Sequence, residues 1–234
     1  MRTLPWLLLA FSLWVPSGAM AAAADAGTPD ALKCTVVADA VTGRMIHRSG
    51  VCDQPFSPCS SFKLPLALMG FDSGILVSPH APSWELQPEF NPSQRDLSYP
   101  RVDPGKHNGL THAWLMSSLA ISPDEQIQFL LRFMGHRLPV SEKAYEMTRA
   151  TIPEYAAAGG WTVHGKSGSG WLRDKDGSVN ENRPQGWFVG WAEKNDRRVV
   201  FARLEVGSTK SEIPGGSKAR EEVLAEIPAL VGGL

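Results

Sequence analysis

The sequence predicts an α+β fold in which one antiparallel β-sheet is flanked by helices. Three observations point there: strand-like runs open the chain, helical patterns fill its middle, and further strands followed by a helix close it. Both terminal regions are therefore expected to join one sheet. The 234 residues include 43% hydrophobic and 20% charged residues, which excludes a disordered chain and a coiled coil. With 23 Lys+Arg against 24 Asp+Glu the net charge is −1. That balance leaves no electrostatic footprint for nucleic acid, and no polybasic run suggests an anionic membrane surface. The expected partner is a small molecule.

At the N-terminus Arg2 precedes an apolar run from Leu4 to Val15, and small residues stand at Ala19 and Ala21. This pattern predicts an export signal over residues 1–21, leaving 22–234 as a single periplasmic domain. The run is shorter than the roughly 20 residues that span a bilayer, and Pro16 and Gly18 interrupt the chain immediately after it. No membrane contact is expected after signal cleavage. Export permits disulfides, and among Cys34, Cys52 and Cys59 the expected pair is Cys34 with Cys52, on the two arms of a hairpin.

That hairpin places Thr35–Ala38 and Arg44–His47 either side of a turn at Thr42-Gly43. Ser60 to Phe71 comes next as a helix with a nearly all-round apolar pattern, in which Pro65 is tolerated within the first turns. From Ser78 to Pro104 the prolines at 79, 82, 88, 92, 100 and 104 predict loop. Ser122-Pro123-Asp124-Glu125 joins an N-cap serine, a proline at the first helical position and a carboxylate at the third, which starts a second helix. A third runs from Ser141 to about Thr151. Trp161–His164, Trp187–Ala192 and Val199–Val206 read as an antiparallel meander, and a last helix covers Ser217 to Leu230.

Two segments could carry chemistry. Ser60-Ser61-Phe62-Lys63 stacks a hydroxyl and an amine on one helix face. A serine needs a base to take its proton, and a lysine among Leu64, Leu66 and Leu68 would lose proton affinity through burial. Alone, S-x-x-K is a weak signal that reads first as a helix cap beside a surface lysine. The second segment is His164-Gly165-Lys166-Ser167-Gly168-Ser169-Gly170. Gly160 to Ser167 fits the phosphate-loop pattern G-x-x-x-x-G-K-[ST], but that loop needs a strand before it and a helix opening at Lys-Ser. Ala156-Ala157-Ala158-Gly159 before it and Gly168-Ser169-Gly170 after it fit neither flank. Read instead as a strand ending in Lys-Ser-Gly, the segment offers a cation and a hydroxyl to a substrate carboxylate, with a glycine that lets substrate approach the strand edge. No histidine or cysteine spacing suggests a metal site. Cys59 is expected to be a buried structural cysteine.

Ser60-Ser61-Phe62-Lys63, Lys166-Ser167-Gly168 and Trp187-Phe188-Val189-Gly190-Trp191 together closely resemble the class D β-lactamases, or oxacillinases, among the penicillin-recognising serine enzymes, from about Leu32 to Leu234. The resemblance implies an antiparallel sheet packed by helices, with an all-helical subdomain enclosing the site. It also implies that Ser60 is acylated by a β-lactam and that Lys63, N-carboxylated by carbon dioxide or bicarbonate, is the base. By the same resemblance Trp114 stabilises that carbamate, Lys166 and Ser167 face the substrate carboxylate beside Gly168, and the backbone amides of Ser60 and Ser169 form the oxyanion hole. No other cofactor is implied. The chain departs from the family pattern between the Pro-rich region and Trp114. The S-x-V and Tyr-Gly-Asn motifs are absent, as though a few dozen residues were missing near Pro104, so the helical subdomain is expected to be reduced. The family's carboxylate-binding arginine has no aligned counterpart; Gly215-Gly216 stand near its place, with Lys218 and Arg220 downstream. An inactive deletion variant and a slow-deacylating penicillin-binding or sensor domain are the rival readings.

Overall fold

The computed structural model describes residues 31–83 and 113–232. The expected export signal over residues 1–21 and the departure near Pro104 lie outside the described residues, as does the expected loop from residue 84 onward.

Strands β1 (Leu32–Asp39) and β2 (Met45–Gly50) form the expected hairpin. The Asp39 carboxylate closes its turn by accepting the N–H groups of Val41 and Thr42 and the Thr42 hydroxyl, and Gly43 supplies the left-handed residue at φ +73°. These bonds, the Thr42 N–H first, hold the Asp39 carboxyl below its ordinary range. The Cys34–Cys52 disulfide, with Cα atoms 5.2 Å apart, ties β1 to the residues that leave β2. Cys59 stays free and buried, as expected.

The sheet is completed by β3 (Glu154–Ala157), β4 (Trp161–Arg173), β5 (Val179–Lys194) and β6 (Arg197–Val206). Its order is β2-β1-β6-β5-β4-β3, antiparallel throughout, so the first strand pairs with the last and β4–β5–β6 is the expected meander. Two details differ from the sequence expectation. β4 and β5 run well past Trp161–His164 and Trp187–Ala192, because the ladder between them extends from Thr162 opposite Glu193 to Arg173 opposite Val179. The intervening glycines and polar residues carry no strand pattern of their own. β3 has no counterpart in the sequence expectation: its alanines have little strand preference, and pairing with Trp161–His164 imposes the conformation.

Helices cover both faces. Alternation along β5 sends Trp187, Val189 and Trp191 toward one layer and Phe188 and Ala192 toward the other. The first layer is closed by α1 (Lys63–Asp72), α2 (Pro123–Met134) and α3 (Glu142–Thr151), and the second by α4 (Gly215–Val231). The capping box of α2 forms as the sequence predicts: Ser122 Oγ accepts the Glu125 N–H at 3.2 Å and the Glu125 carboxylate accepts the Ser122 N–H at 2.8 Å. The helix expected over Ser60–Phe71 is a 3₁₀ turn, Cys59–Phe62, that leads into α1. Its burial is one-sided: Leu64, Leu68 and Phe71 enter the core while Lys63 and Met69 are exposed.

A buried ion cluster fastens α4 to the sheet. The Arg203 side chain on β6 is 1% exposed and donates to Glu205, Glu222 and Glu226, while Lys33 and Lys218 reach the same carboxylates from the rim. Burial alone would raise Glu222, but its bond to Glu205, its bond to Lys33 and the charges of Lys33 and Arg203 hold it well below the ordinary carboxylate range. No helix among the described residues is long and apolar enough to cross a membrane.

Replacing both bridged cysteines, Cys34→Ser with Cys52→Ser, is expected to cost about 3 kcal/mol in denaturant unfolding, because the bridge restricts the unfolded chain. The Glu222→Gln variant should flatten acid unfolding: a carboxyl held low in the folded state contributes stability above its unfolded value, near 4.5, that is lost as pH falls below it.

Candidate active site

Ser60 sits in the 3₁₀ turn, half-buried, with Cys59 before it in the left-handed region at φ +50°. A non-glycine residue there is strained, and the surroundings hold it. Ser61 closes the turn by donating its N–H and its hydroxyl to the Pro58 carbonyl, at 3.2 and 2.6 Å. The Cys59 thiol packs against Gly170 of β4, and burial pushes it up to about 11. A thiol kept protonated is no rival to the serine hydroxyl.

β4 is seated directly on this turn. A methyl group at Gly168 would lie 2.7 Å from the Pro58 carbonyl, 2.8 Å from the Ser61 nitrogen and 3.1 Å from the Ser60 nitrogen, and one at Gly170 would lie 2.7 Å from the Cys59 sulfur. The sequence expectation that Gly168 opens the strand edge to substrate is therefore refined: the missing side chain first admits the turn that carries Ser60. β3 pairs with β4 only as far as His164. Beyond it one edge of β4 carries no partner strand among the described residues, which leaves backbone donors of the Lys166–Ser169 stretch to face outward beside Ser60. The N-terminus of α4 seals the other side through a second close approach. Gly216 donates its N–H to Ser169 Oγ at 2.9 Å, and a methyl at Gly216 would meet the Gly168 carbonyl at 2.6 Å.

Lys166 and Ser167 are half-buried on β4, and the Lys166 ammonium donates to the Ser167 carbonyl at 2.8 Å. Burial, then the charges of Lys63 and Arg220, lower Lys166 from its ordinary value. Three cations thus share this corner, and Arg220, which also lies over the Tyr155 ring at 5.3 Å, is the α4 cation that faces it. Lys218 is engaged instead with Glu205 and Glu222.

Lys63 corrects the sequence reading. It is exposed rather than wrapped by Leu64, Leu66 and Leu68, because Leu64 and Leu68 turn inward and carry Lys63 to the open side of α1. Its backbone N–H donates to the Ser60 and Ser61 carbonyls, but among the described residues no side-chain hydrogen bond joins Lys63 to Ser60. Trp114 is half-buried in a turn whose main chain is bound to Ser57, and its indole N–H makes no hydrogen bond among the described residues. The phosphate-loop alternative fails as expected, apart from its upstream flank. A short strand, β3, does precede Gly160, but Trp161 to Ser167 belongs to β4 and no helix opens at Lys166-Ser167. Ser57, Met116 and Gln185 escape the sequence reading; their only signal is a glutamine two residues before the apolar Trp187–Ala192 run.

Comparison with known proteins agrees with this geometry. The family model for the penicillin binding protein transpeptidase domain matches residues 96–229. Beta-lactamase OXA-9 of Klebsiella pneumoniae is 58% identical over 245 positions, covering 87% of this chain and 89% of that protein. The aligned span exceeds the 234 residues of the chain, so this chain lacks residues that the relative has. Beta-lactamase OXA-1 of Escherichia coli is 27% identical, with 84% of each chain covered. The crystal structure of the class D β-lactamase OXA-427 superposes with a TM-score of 0.71 at 34% identity, covering 86% of this chain and 98% of that one.

The substitution Gly168→Ala is expected to shift β4 off the Ser60 turn and to slow labelling of Ser60 by an acylating probe in stopped-flow by about 10²-fold, the scale of one lost main-chain donor, with the thermal unfolding curve still cooperative.

Proposed function

The chain belongs to the class D β-lactamases, and from that premise we propose that it hydrolyses penicillin-type β-lactams through an acyl-enzyme on Ser60, with N-carboxylated Lys63 as general base. The observation that carries the reading is the seating of Gly168 on the Ser60 turn, which supports assigning the amides of Ser60 and Ser169 to one reacting carbonyl. Ser60 Oγ attacks the lactam carbonyl and its proton passes to the Lys63 side chain. Negative charge on the carbonyl oxygen is met by the two amides, where preorganised donors contribute most. The C–N bond then breaks, the ring nitrogen takes that proton from Lys63, and the ester on Ser60 is later cleaved by water that the freed Lys63 side chain deprotonates. Lys166, Ser167 and Arg220 receive the substrate carboxylate, a group suited to two cations and a hydroxyl.

Carbon dioxide, taken up by Lys63 as a carbamate, supplies a base that is anionic. The residues present fit it: Lys63 lies close enough to Lys166 for its charge to be felt there, so a negative group on Lys63 would replace that repulsion with attraction. Residues 1–21 are proposed as the signal that exports the protein to the periplasm, with a β-lactam as its small-molecule partner and neither nucleic acid nor membrane involved after cleavage.

Hydrolysis of a chromogenic penicillin tests the proposal. Turnover abolished by Ser60→Ala and by Lys63→Ala is the expected result; stoichiometric acylation without turnover would identify a slow-deacylating penicillin receptor instead, and no reaction an inactive variant. Because Lys166 must be charged to hold the carboxylate and is lowered from 10.5, the alkaline limb of kcat/KM should begin below the ordinary lysine range. Added bicarbonate should move that limb upward, since it removes one of the two repelling charges.

A further inference from the structure

Ser57 is assigned no part in the reaction above, yet every hydrogen-bonding capacity of its side chain is spent at this site. Its hydroxyl donates to the Trp114 carbonyl at 3.0 Å, accepts the Met116 N–H at 2.8 Å and takes a weak contact from the Cys59 thiol at 3.9 Å. A hydroxyl has one donor and two acceptor positions, so the inventory is full. Its carbonyl is equally committed: Gln185 Nε2 and Trp187 Nε1, both on side chains almost wholly buried in β5, donate to it at 2.5 and 2.9 Å. The segment is further zipped to the Trp114 side of the chain by Phe56 and Ile121, which exchange two backbone bonds of 3.0 and 2.8 Å.

The two halves of Ser57 therefore do different things. The carbonyl fixes the entry to the nucleophile turn on the sheet, and Pro58 continues from there into the bonds that hold Ser60. The hydroxyl grips the turn from Trp114 to Met116 at both ends, although 57 residues separate Ser57 from Trp114. Met116 is held in the left-handed region at φ +51°, with its carbonyl taking the Arg173 guanidinium at 3.0 Å and its sulfur against Gly170. A residue in that conformation keeps it only while such bonds persist.

We propose that Ser57 is a positioning residue for Lys63: its hydroxyl clamps the Trp114 turn against the nucleophile turn, and that clamp holds the tryptophan where the carbamate of Lys63 must be stabilised. The proposal rests on the carboxylated-lysine reading. Truncation to alanine spares the main-chain carbonyl and costs the turn that carries Ser60 only the weak Cys59 contact at 3.9 Å, so the loss falls chiefly on the Trp114 side.

The test is the bicarbonate dependence of turnover in the full chain, its Ser57→Ala variant and the conservative Ser57→Thr variant, with amide exchange of Met116 followed in each. The expected outcome for Ser57→Ala is a bicarbonate midpoint raised about tenfold, the equivalent of one hydrogen bond, recovery of most turnover at saturating bicarbonate, and faster Met116 exchange. Ser57→Thr should restore the midpoint. A variant slowed merely by misfolding would not be rescued by bicarbonate. An unchanged midpoint in Ser57→Ala, turnover lost at every bicarbonate concentration, or unaltered Met116 exchange overturns the proposal while leaving the Lys63 reading intact. A parent enzyme that turns over without any response to bicarbonate overturns both.

Discussion

The close approach of β4 to the turn that carries Ser60 is the contact on which the site depends. Two elements from distant parts of the chain come within van der Waals distance only because positions 168 and 170 have no side chain. The same device recurs where the N-terminus of α4 meets β4 and β5, through Gly215 and Gly216 against Gly168 and Gly186. Backbone is thus packed on backbone along one line, from the nucleophile turn across the strand to the last helix. Main-chain donors are less free to relax than side chains, and preorganisation of that kind is what an oxyanion site needs. The rest of the molecule holds these three segments in register.

Charge is distributed to the same end. In a protein of net charge −1, one corner gathers Lys63, Lys166 and Arg220, while the far side of α4 is fastened by the Arg203 cluster with its surrounding glutamates. Arg203 is buried and its partners satisfy most of its donors, although Nε remains unpaired. Breaking such a pair is costly because the remaining charge stays buried. The helix is in this way pinned at its middle by ions and at its start by glycine contact, and Arg220 between them is presented toward the site.

Much of this is legible in the residues. The capping box at Ser122 and Glu125, the hairpin at Thr42-Gly43 and the Cys34–Cys52 pair depend on local rules that act over a few residues, and each forms as expected. The features that escape are set by distant partners. Glu154–Ala157 becomes a strand because a neighbour is there to pair with it. The stretch from Ser169 to Arg173 carries β4 beyond the expected Lys-Ser-Gly end because β5 lies alongside. Adjacent leucines suggest that Lys63 is buried, but helical geometry turns those leucines inward and leaves the lysine on the opposite side. The S-x-x-K and Lys-Ser-Gly motifs do identify segments that the fold brings together. The role of Ser57 could not be inferred, since one serine in a sequence gives no hint of a partner 57 positions away.

The three cysteines carry a consequence for how the protein matures. Disulfide exchange proceeds through thiolates, and Cys59, walled in by Gly170 and Met116, is held protonated by its burial. Once the nucleophile turn has docked on β4, the third thiol is chemically silent and cannot compete for Cys34 or Cys52. Before docking it is an ordinary cysteine only seven residues from Cys52. A chain oxidised with this turn unformed is open to a wrong bridge, one that would also pull Ser60 out of place. Burial of one sulfur thus protects the bond made by the other two.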